Sequence, residues 1–239
     1  MEVERNMEQR TDSCVRRAVE LLAIDSPSGY TRQAAEHVMG AYEAMGLHPE
    51  MTRKGGVMVC LNPEAPAEDG LLLEAHLDTL GAMVSEISGS GRLHLTSLGG
   101  MQPNNGEAEN VRIVTRSGKI YTGTFQLKNA STHVNGEYAS TKREYKTMEV
   151  VIDEEVSSRE DVEKLGIMTG DVVCFDPRTV VTPSGYIKSR FLDDKLSAAI
   201  LLELAAQVAS GEIKPKRRVW EHITVFEEVG HGGSASVPE

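Results

Sequence analysis

The sequence predicts a mixed α/β fold that is interrupted by a β-rich insert. Two amphipathic helices precede three strands in the first part of the chain, and a buried-type helix followed by a strand returns in the last part. Between these parts, from about Val84 to Pro177, short alternating segments are separated by Gly, Asn and Ser. Helices and strands in succession are typical of layered α/β folds, and many short strands are typical of barrels. We therefore expect α/β layers with a compact β-barrel-like insert.

The first part of the chain supplies the initial helices and strands. Apolar residues three and four positions apart predict a helix over Asp12–Ile24. Thr31 is placed to cap a second helix, which we expect to stop at Gly46. The strands that follow are expected at 48–53, at 57–61 and from Leu71 onward. The run Leu71-Leu72-Leu73 is apolar throughout and indicates a strand buried on both faces.

The insert and the last part of the chain follow different patterns. Strands of the insert are indicated by alternating segments at 92–95, 111–114 and 149–152. Only Ser158–Leu165 has a helical pattern there, with Ser157 or Ser158 as its N-cap. After the insert, a wide apolar stripe predicts a well-buried helix over Asp194–Ser210, and a strand is expected over Val219–Phe226.

Composition excludes several classes of protein. The formal net charge of -11 argues against nucleic-acid binding, which usually requires a basic patch. Cys14, Cys60 and Cys174 are too widely spaced for a zinc ribbon or a disulfide framework. The N-terminus lacks the apolar core of a signal peptide, and no apolar run reaches membrane-spanning length. We expect a cytoplasmic protein with no membrane partner.

His76 and Asp78, which close the third strand, form the first of three polar clusters. In an extended chain, residues two apart point to the same side, so Asp78 can reach one imidazole nitrogen of His76 and leave the other free. A carboxylate orients a metal-binding histidine in this way. By itself, the pair is also compatible with two solvated side chains at a strand end, because His-x-Asp is a short motif.

Two further clusters lie at the ends of elements in the last part of the chain. Asp193 and Asp194 open the long helix, where either could serve as an N-cap. Glu227 and Glu228 close the following strand, where they could also be solvated carboxylates. In open α/β sheets, ligands bind beyond the carboxyl ends of the strands. A histidine and several carboxylates that converge there suit two divalent metal ions with one shared carboxylate.

The three clusters, in this order and around a β-rich insert, resemble the glutamyl/tetrahedral aminopeptidase family. The matching motifs are Ala75-His76-Leu77-Asp78, Phe191-Leu192-Asp193-Asp194-Lys195, Glu227-Glu228-Val229-Gly230 and, near the N-terminus, Ile24-Asp25-Ser26-Pro27-Ser28-Gly29. The family comprises dinuclear metallopeptidases, some of which carry endoglucanase names. The resemblance implies a three-layer mixed-sheet catalytic domain in two parts, 1–83 and 180–239, with an inserted small β-barrel (PDZ-like) domain at 84–179 for dimerisation or oligomerisation.

The resemblance also implies a role for each site residue. His76 would bind one metal ion, Asp193 would bridge both ions, and Glu228 would bind the second. Glu227 would be the general base, and Asp78 would orient His76. Relatives often have a cis peptide after the bridging aspartate, so we look for one after Asp193. The cofactors would be two divalent ions, zinc first, with cobalt or manganese equally suited to such ligands.

The sequence departs from the family in its length, because family members continue well beyond the equivalent of Glu239. The missing part would carry an aspartate ligand for the first metal, a histidine ligand for the second and further strands. His222 is expected to be structural, and His231 is a minor candidate ligand. Each metal would have two protein ligands where three are usual. The expectation is therefore a truncated chain with an exposed sheet edge, and loss of activity is one expected consequence.

Three functions remain open on the sequence. The first, which the β-rich insert favours, is a metal-dependent aminopeptidase that acts on short peptides and self-associates into homo-oligomers. The second is a dinuclear amidohydrolase of acylated amino acids, which a βαβ-type lid would favour. The third is a non-catalytic assembly or regulatory subunit, which the missing ligands favour. Glycoside hydrolysis uses paired carboxylates, but it would not explain the motif His76-Leu77-Asp78, and we discount it.

Overall fold

The computed structural model describes residues 2–237 and divides the chain into two compact units. The first unit combines Met1–Thr79 with Pro177–Glu239, and the second unit is Leu80–Asp176. Within the described residues, no helix is both long and apolar enough to cross a membrane.

The described residues form helices and strands in the following order along the chain. The helices are α1 (Glu2–Leu22), α2 (Arg32–Ala44), α3 (Arg159–Lys164) and α4 (Leu192–Ala209). The strands are β1 (Glu50–Met51), β2 (Val57–Cys60), β3 (Leu71–His76), β4 (Gly81–Ile87), β5 (Leu93–Leu98), β6 (Glu109–Val114), β7 (Ile120–Leu127), β8 (Met148–Ile152), β9 (Val172–Phe175), β10 (Val180–Val181), β11 (Ile187–Lys188) and β12 (Val219–Thr224). Short 3-10 helices lie at Pro103–Asn105, Glu227–Val229 and Gly233–Ser236.

The first unit is built on a mixed four-stranded sheet in the order β1-β2-β12-β3. Strand β12 runs antiparallel to β2 and parallel to β3, with Thr224 opposite His76. The carboxyl ends of two parallel neighbours lie at the same edge of a sheet. The residues that follow β3 and β12 are therefore brought together, although they are far apart in the sequence.

The two faces of this sheet differ in burial. Val57 and Ile223, on one face, are buried in a single core with residues of α1, α2 and α4. Met58 and Trp220, which alternate with them and so point the other way, line a groove of about 1450 Å³. The helices therefore cover one face of the sheet, while the other face is open along this groove.

Strand β3 is less buried than its apolar sequence predicts. Leu71 and Leu72 are 42% and 36% exposed, whereas Ala75 and His76 are buried. The prediction of a strand buried on both faces is wrong for its first half, because β3 is an edge strand of the described sheet and its first two residues border the open groove. Burial increases along the strand toward the edge where the polar clusters lie.

The first two helices also differ in detail from the prediction. Helix α1 begins at Glu2 instead of Asp12. The segment before Asp12 forms a helix because it is rich in Glu, Arg, Met and Gln, which are strong helix formers. It was not predicted because it has no apolar stripe. Thr31 occupies the N-cap position of α2, but its side chain makes no capping hydrogen bond. Gly46, with φ of 81°, follows the end of α2 as expected.

The second unit contains a closed barrel of six antiparallel strands in the order β4-β5-β8-β7-β6-β9. Inward-facing residues alternate with outward-facing ones along its strands. In its core, the rings of Phe125 and Phe175 pack edge to face, with their centroids 5.5 Å apart. Ser158 caps α3, since its side chain accepts a hydrogen bond from the backbone N–H of Asp161. The predicted β-barrel and the predicted cap are both confirmed.

Candidate active site

His76 closes strand β3, and the main chain that follows it fixes its ring. Nδ1 of His76 donates to the backbone carbonyl oxygen of Asp78 at 2.9 Å and lies 3.5 Å from the Asp78 carboxylate oxygen Oδ1. Because the strand ends at His76, the chain turns and brings this carbonyl back to the ring. The nearest partner of Nδ1 is thus the carbonyl of Asp78 and not its carboxylate. Nε2 of His76 faces the other two clusters.

The carboxylate of Asp78 is fully buried and holds the backbone of the third cluster. Its Oδ1 accepts a hydrogen bond from the backbone N–H of Glu227 at 3.1 Å, and its Oδ2 accepts one from that of Glu228 at 3.2 Å. Oδ2 also accepts a hydrogen bond of 2.5 Å from the hydroxyl of Ser28. Phe226 adopts a left-handed conformation with φ of 69°. This residue turns the chain out of β12, so that the two amides reach Asp78.

The second cluster lies at the start of α4, where the two aspartates depart from helical geometry. The peptide bond between Asp193 and Asp194 is cis, which confirms the expectation drawn from the family resemblance. Oδ1 of Asp193 lies 3.3 Å from Nε2 of His76, and the Asp193 side chain is 92% exposed. Oδ2 of Asp194 accepts a hydrogen bond of 3.4 Å from the backbone N–H of His76. Regular helical geometry in α4 therefore begins after Asp194, and Phe191, which precedes this kinked start, makes no side-chain cap.

The two glutamates are placed differently around His76. Oε2 of Glu227 lies 3.6 Å from Nε2 of His76, and the Glu227 side chain is 57% exposed. Glu228 is partly buried, and its carboxylate interacts electrostatically with the charges of His76 and Asp193. The structure thus brings together His76, Asp78, Asp193, Glu227 and Glu228, all five site residues proposed from the sequence.

Burial and neighbouring charges shift three pKa values at this edge of the sheet. Burial lowers the pKa of His76, but hydrogen bonds with Asp78 and the charges of Asp78 and Asp194 outweigh it and raise this pKa to about 9. Burial raises the pKa of Asp78, but hydrogen bonds from His76, Ser28 and the two backbone amides outweigh it and hold this pKa below its ordinary value. Burial and the neighbouring carboxylates raise the pKa of Glu228.

The donor atoms at this edge fit part of a metal centre. Among residues 2–237, no three His, Cys, Asp or Glu side chains form a group that could hold a metal ion by themselves. Zinc bonds of about 2.1 Å at a tetrahedral angle place two ligand atoms about 3.4 Å apart, and Nε2 of His76 and Oδ1 of Asp193 are 3.3 Å apart. A divalent ion can replace the proton shared by such a pair. His76 and Asp193 therefore fit two ligands of one ion.

The other histidines considered from the sequence do not join this site. His222 is fully buried in β12, and its Nδ1 lies 2.9 Å from Oε1 of Glu74. His231 is exposed, and its backbone carbonyl oxygen accepts a hydrogen bond of 3.0 Å from the ammonium group of Lys54. His222 thus has the structural position expected from the sequence.

Two buried polar residues beside the predicted site residues were not singled out from the sequence. Ser28 bonds the Asp78 carboxylate, whereas Lys195 follows Asp194 in the chain. Lys195 is buried, and its ammonium group donates to the backbone carbonyl oxygens of Leu21 and Ile24 at the end of α1. Both residues belong to motifs that match the family. The signal in the sequence was that each is a polar residue beside an apolar residue or a proline.

Comparisons with known proteins agree with these motifs. The M42 glutamyl aminopeptidase family matches residues 55–239. YhfE of Bacillus subtilis strain 168, which is named as a candidate aminopeptidase, is 40% identical over 219 residues, or 92% of this chain and 63% of that protein. The structure of a TET aminopeptidase from a marine sediment thaumarchaeon matches with a TM-score of 0.81 at 24% identity, over 92% of this chain and 60% of that one. The TET1 peptidase of Pyrococcus horikoshii, which can assemble into a tetrahedron or a large octahedral shell, matches with a TM-score of 0.77 at 23% identity, over 91% of this chain and 62% of that one.

This chain spans about three fifths of the length of each of these relatives. The solved structures share its mixed α/β fold. The family match covers most of the chain, and it includes all three polar clusters. The resemblance inferred from the motifs is therefore confirmed, and the chain belongs to the M42 glutamyl aminopeptidase family.

Proposed function

We propose that this protein is a metal-dependent aminopeptidase that removes N-terminal residues from short peptides. The observation that carries this proposal is the convergence of three side chains at the edge formed by β3, β12 and the start of α4. Nε2 of His76 lies 3.3 Å from Oδ1 of Asp193 and 3.6 Å from Oε2 of Glu227. Membership of an aminopeptidase family supports the class of reaction.

The chain's own donors suggest how two divalent ions would be held. His76 and Asp193 would bind one ion, and Asp193 and Glu228 would bind the second, with zinc as the first candidate and cobalt or manganese as alternatives. When bound, such ions polarise the scissile carbonyl and lower the pKa of a water molecule from about 15.7 toward 7. The hydrogen bond from Nδ1 of His76 to Asp78 supports this assignment, because it orients the ring and keeps Nε2 turned toward the carboxylates.

Glu227 is the general base in this proposal. Its side chain is 57% exposed and lies beside His76, so it can contact both an attacking water and a bound substrate. It would take a proton from the water and pass it to the leaving amine. Asp78 would keep Glu227 in place through the backbone amide of Glu227 and would orient His76 through its own carbonyl group. The side chains that move protons and those that position them are therefore distinct.

We further propose that residues 1–83 and 180–239 form a three-layer catalytic domain, and that residues 84–179 form an inserted PDZ-like domain for assembly. The closed barrel in the second unit supports the proposal of an inserted β-barrel domain. The Pyrococcus horikoshii relative assembles into closed shells, which supports homo-oligomers whose interior admits short peptides. The free thiols of Cys14 and Cys60 suit the reducing cytoplasm.

The first experiment measures metal content per chain by mass spectrometry after zinc loading. Wild-type protein should hold two ions, and Asp193→Ala should hold at most one, because Asp193 is the shared ligand. Its side chain is 92% exposed, so the free energy of unfolding should change by less than about 0.5 kcal/mol. Asp12→Ala, at an exposed position of α1, is the matched control and should retain both ions.

Peptide turnover is measured on the same samples. The wild-type protein should release the N-terminal residue of a tripeptide, and Asp193→Ala should be slower by at least about 100-fold. Zero or one weakly held ion in the wild-type protein, or full turnover by Asp193→Ala, would contradict the proposal. Turnover of acylated amino acids in place of peptides would favour the amidohydrolase, and metal-independent assembly without turnover would favour a non-catalytic subunit.

A further inference from the structure

Ser28 lies outside the three polar clusters, yet it contacts the most buried carboxylate of the site. The residue is 6% exposed and follows Pro27 in the segment between α1 and α2. Its hydroxyl donates a hydrogen bond of 2.5 Å to Oδ2 of Asp78, 50 positions further along the chain. A hydrogen bond from a hydroxyl to a carboxylate is charge-assisted and is short for this reason.

The position of this hydroxyl is set by a ladder of bonds on either side of Asp78. The hydroxyl of Ser26 donates to the backbone carbonyl of Leu77 at 2.7 Å. The backbone N–H of Thr79 donates to the carbonyl of Ser26 at 2.9 Å, and that of Ser28 donates to the carbonyl of Thr79 at 3.2 Å. Residues 26–28 are thereby fastened alongside residues 77–79, and Ser28 is aligned with the Asp78 carboxylate.

The Asp78 carboxylate has alternative partners, and Ser28 contributes to the choice between them. In the structure, its oxygens accept from Ser28 and from the amides of Glu227 and Glu228, while Nδ1 of His76 lies at the longer distance of 3.5 Å. Without the Ser28 hydroxyl, Oδ2 would lose its charge-assisted bond. The carboxylate could then rotate toward His76 and away from the two amides.

We propose that Ser28 is a positioning residue, which fixes the backbone of Glu227 and Glu228 by holding the Asp78 carboxylate against their amides. Ser28 touches no reacting atom in this arrangement, and it acts on the general base and on a metal ligand through Asp78. Its effect on catalysis rests on the proposed function, whereas its effect on the two amides does not. The inference therefore has a test that needs neither activity nor metal.

That test is amide hydrogen exchange of the segment that contains Glu227 and Glu228, followed by mass spectrometry. Ser28→Ala should speed exchange in this segment by about tenfold, which corresponds to one charge-assisted hydrogen bond. Ser26→Ala is the matched control, because it removes a buried serine hydroxyl from the same ladder but one that bonds the carbonyl of Leu77. The two backbone bonds of the ladder remain in this variant and keep Ser28 aligned. Ser26→Ala should therefore lower the thermal midpoint similarly and leave exchange at Glu227 and Glu228 unchanged.

Two further measurements separate positioning from general destabilisation. Zinc affinity should fall about 10- to 100-fold in Ser28→Ala, and kcat should fall with little change in KM. Ser28→Thr, which retains a hydroxyl, should restore most of both values. Equal exchange in Ser28→Ala and Ser26→Ala would overturn the inference even if the wild-type protein is an active peptidase. Faster exchange in Ser28→Ala alone would uphold the inference even if the wild-type protein has no peptidase activity. A wild-type protein without peptidase activity would contradict the proposed function only.

Discussion

Asp78 and Glu221 are both fully buried carboxylic acids of the first unit, one at the edge of the sheet and one in its interior. Asp78 accepts hydrogen bonds from a hydroxyl and two backbone amides, and its pKa lies below its ordinary value. Glu221 lies in β12 and accepts from the hydroxyl of Tyr42 at 2.8 Å. Its other oxygen, Oε1, has no hydrogen-bond partner among the described residues, and burial raises its pKa to about 8.

The comparison shows that donors, and not burial alone, decide the charge of a buried carboxyl group. Removing an ionised carboxylate from water is unfavourable unless hydrogen bonds replace its hydration. At the edge of the sheet, the imidazole of His76, the hydroxyl of Ser28 and the chain that leaves β12 supply these donors. In the interior, the strand's amides are used by the sheet, and Glu221 remains protonated to a higher pH. The site therefore contains a fixed negative charge, while the interior contains a neutral acid.

The largest expected effect concerns the pH dependence of stability through Glu221. The folded chain retains a proton, up to a pH of about 8, that the unfolded chain releases near its ordinary pKa. The stability from this group is fully present below the unfolded pKa and is lost as the pH rises through the folded pKa, at up to about 1.4 kcal/mol per pH unit. Glu221→Gln should abolish this decline.

Urea unfolding between pH 5 and 8 measures the effect. At pH 8 the variant should be more stable than the wild-type protein, and at pH 5 the two should be similar. Glu43→Gln, at an exposed position of α2, is the control and should preserve the wild-type decline. A wild-type stability that rises from pH 5 to 8 by the same amount in all three proteins would contradict the assignment of a raised pKa to Glu221.

A smaller loss of stability is expected when the charge of Asp78 is removed. Asp78→Asn keeps the size of the side chain but replaces one acceptor oxygen by an NH2 group, which then faces at least one hydrogen-bond donor. Hydrogen bonds to a charged group contribute about 1.5–3 kcal/mol each, so the free energy of unfolding at pH 7 should fall by about 3 kcal/mol. Urea unfolding measures this loss. Asp12→Asn, at an exposed position of α1, should be neutral, and equal stability of both variants would show that the donors do not hold an ionised Asp78.

The smallest effect is expected when the hydrogen bond from Tyr42 to Glu221 is removed. Tyr42 is fully buried, and Tyr42→Phe keeps its ring while deleting the hydroxyl. The free energy of unfolding should fall by about 1 kcal/mol at pH 5. The loss should be greater at pH 8, because the hydrogen bond from Tyr42 lowers the pKa of Glu221. A loss that is independent of pH would show that Tyr42 contributes through packing alone.

Much of the fold was predictable because it depends on local patterns. The apolar stripe of α2 and its stop at Gly46, the Ser158 cap and the β-barrel of the second unit were all confirmed. The start of α1 was not predicted, since its first turns have helix-forming residues but no apolar stripe. The exposure of Leu71 and Leu72 was also missed. Hydrophobicity indicates which residues favour burial, but it does not indicate what covers them.

The sequence by itself determined the family, the order of the three polar clusters and the insertion of a β-rich unit between them. Only the tertiary structure decided how the clusters are joined. It assigned the carbonyl of Asp78 to His76, and the carboxylate of Asp78 to Ser28 and the amides of Glu227 and Glu228. The bond between His76 and Asp78 is local, but the bonds to the Asp78 carboxylate connect positions 50 to 150 apart. They depend on the direction of backbone groups after two parallel strands end side by side, and no pattern of residue types encodes that direction.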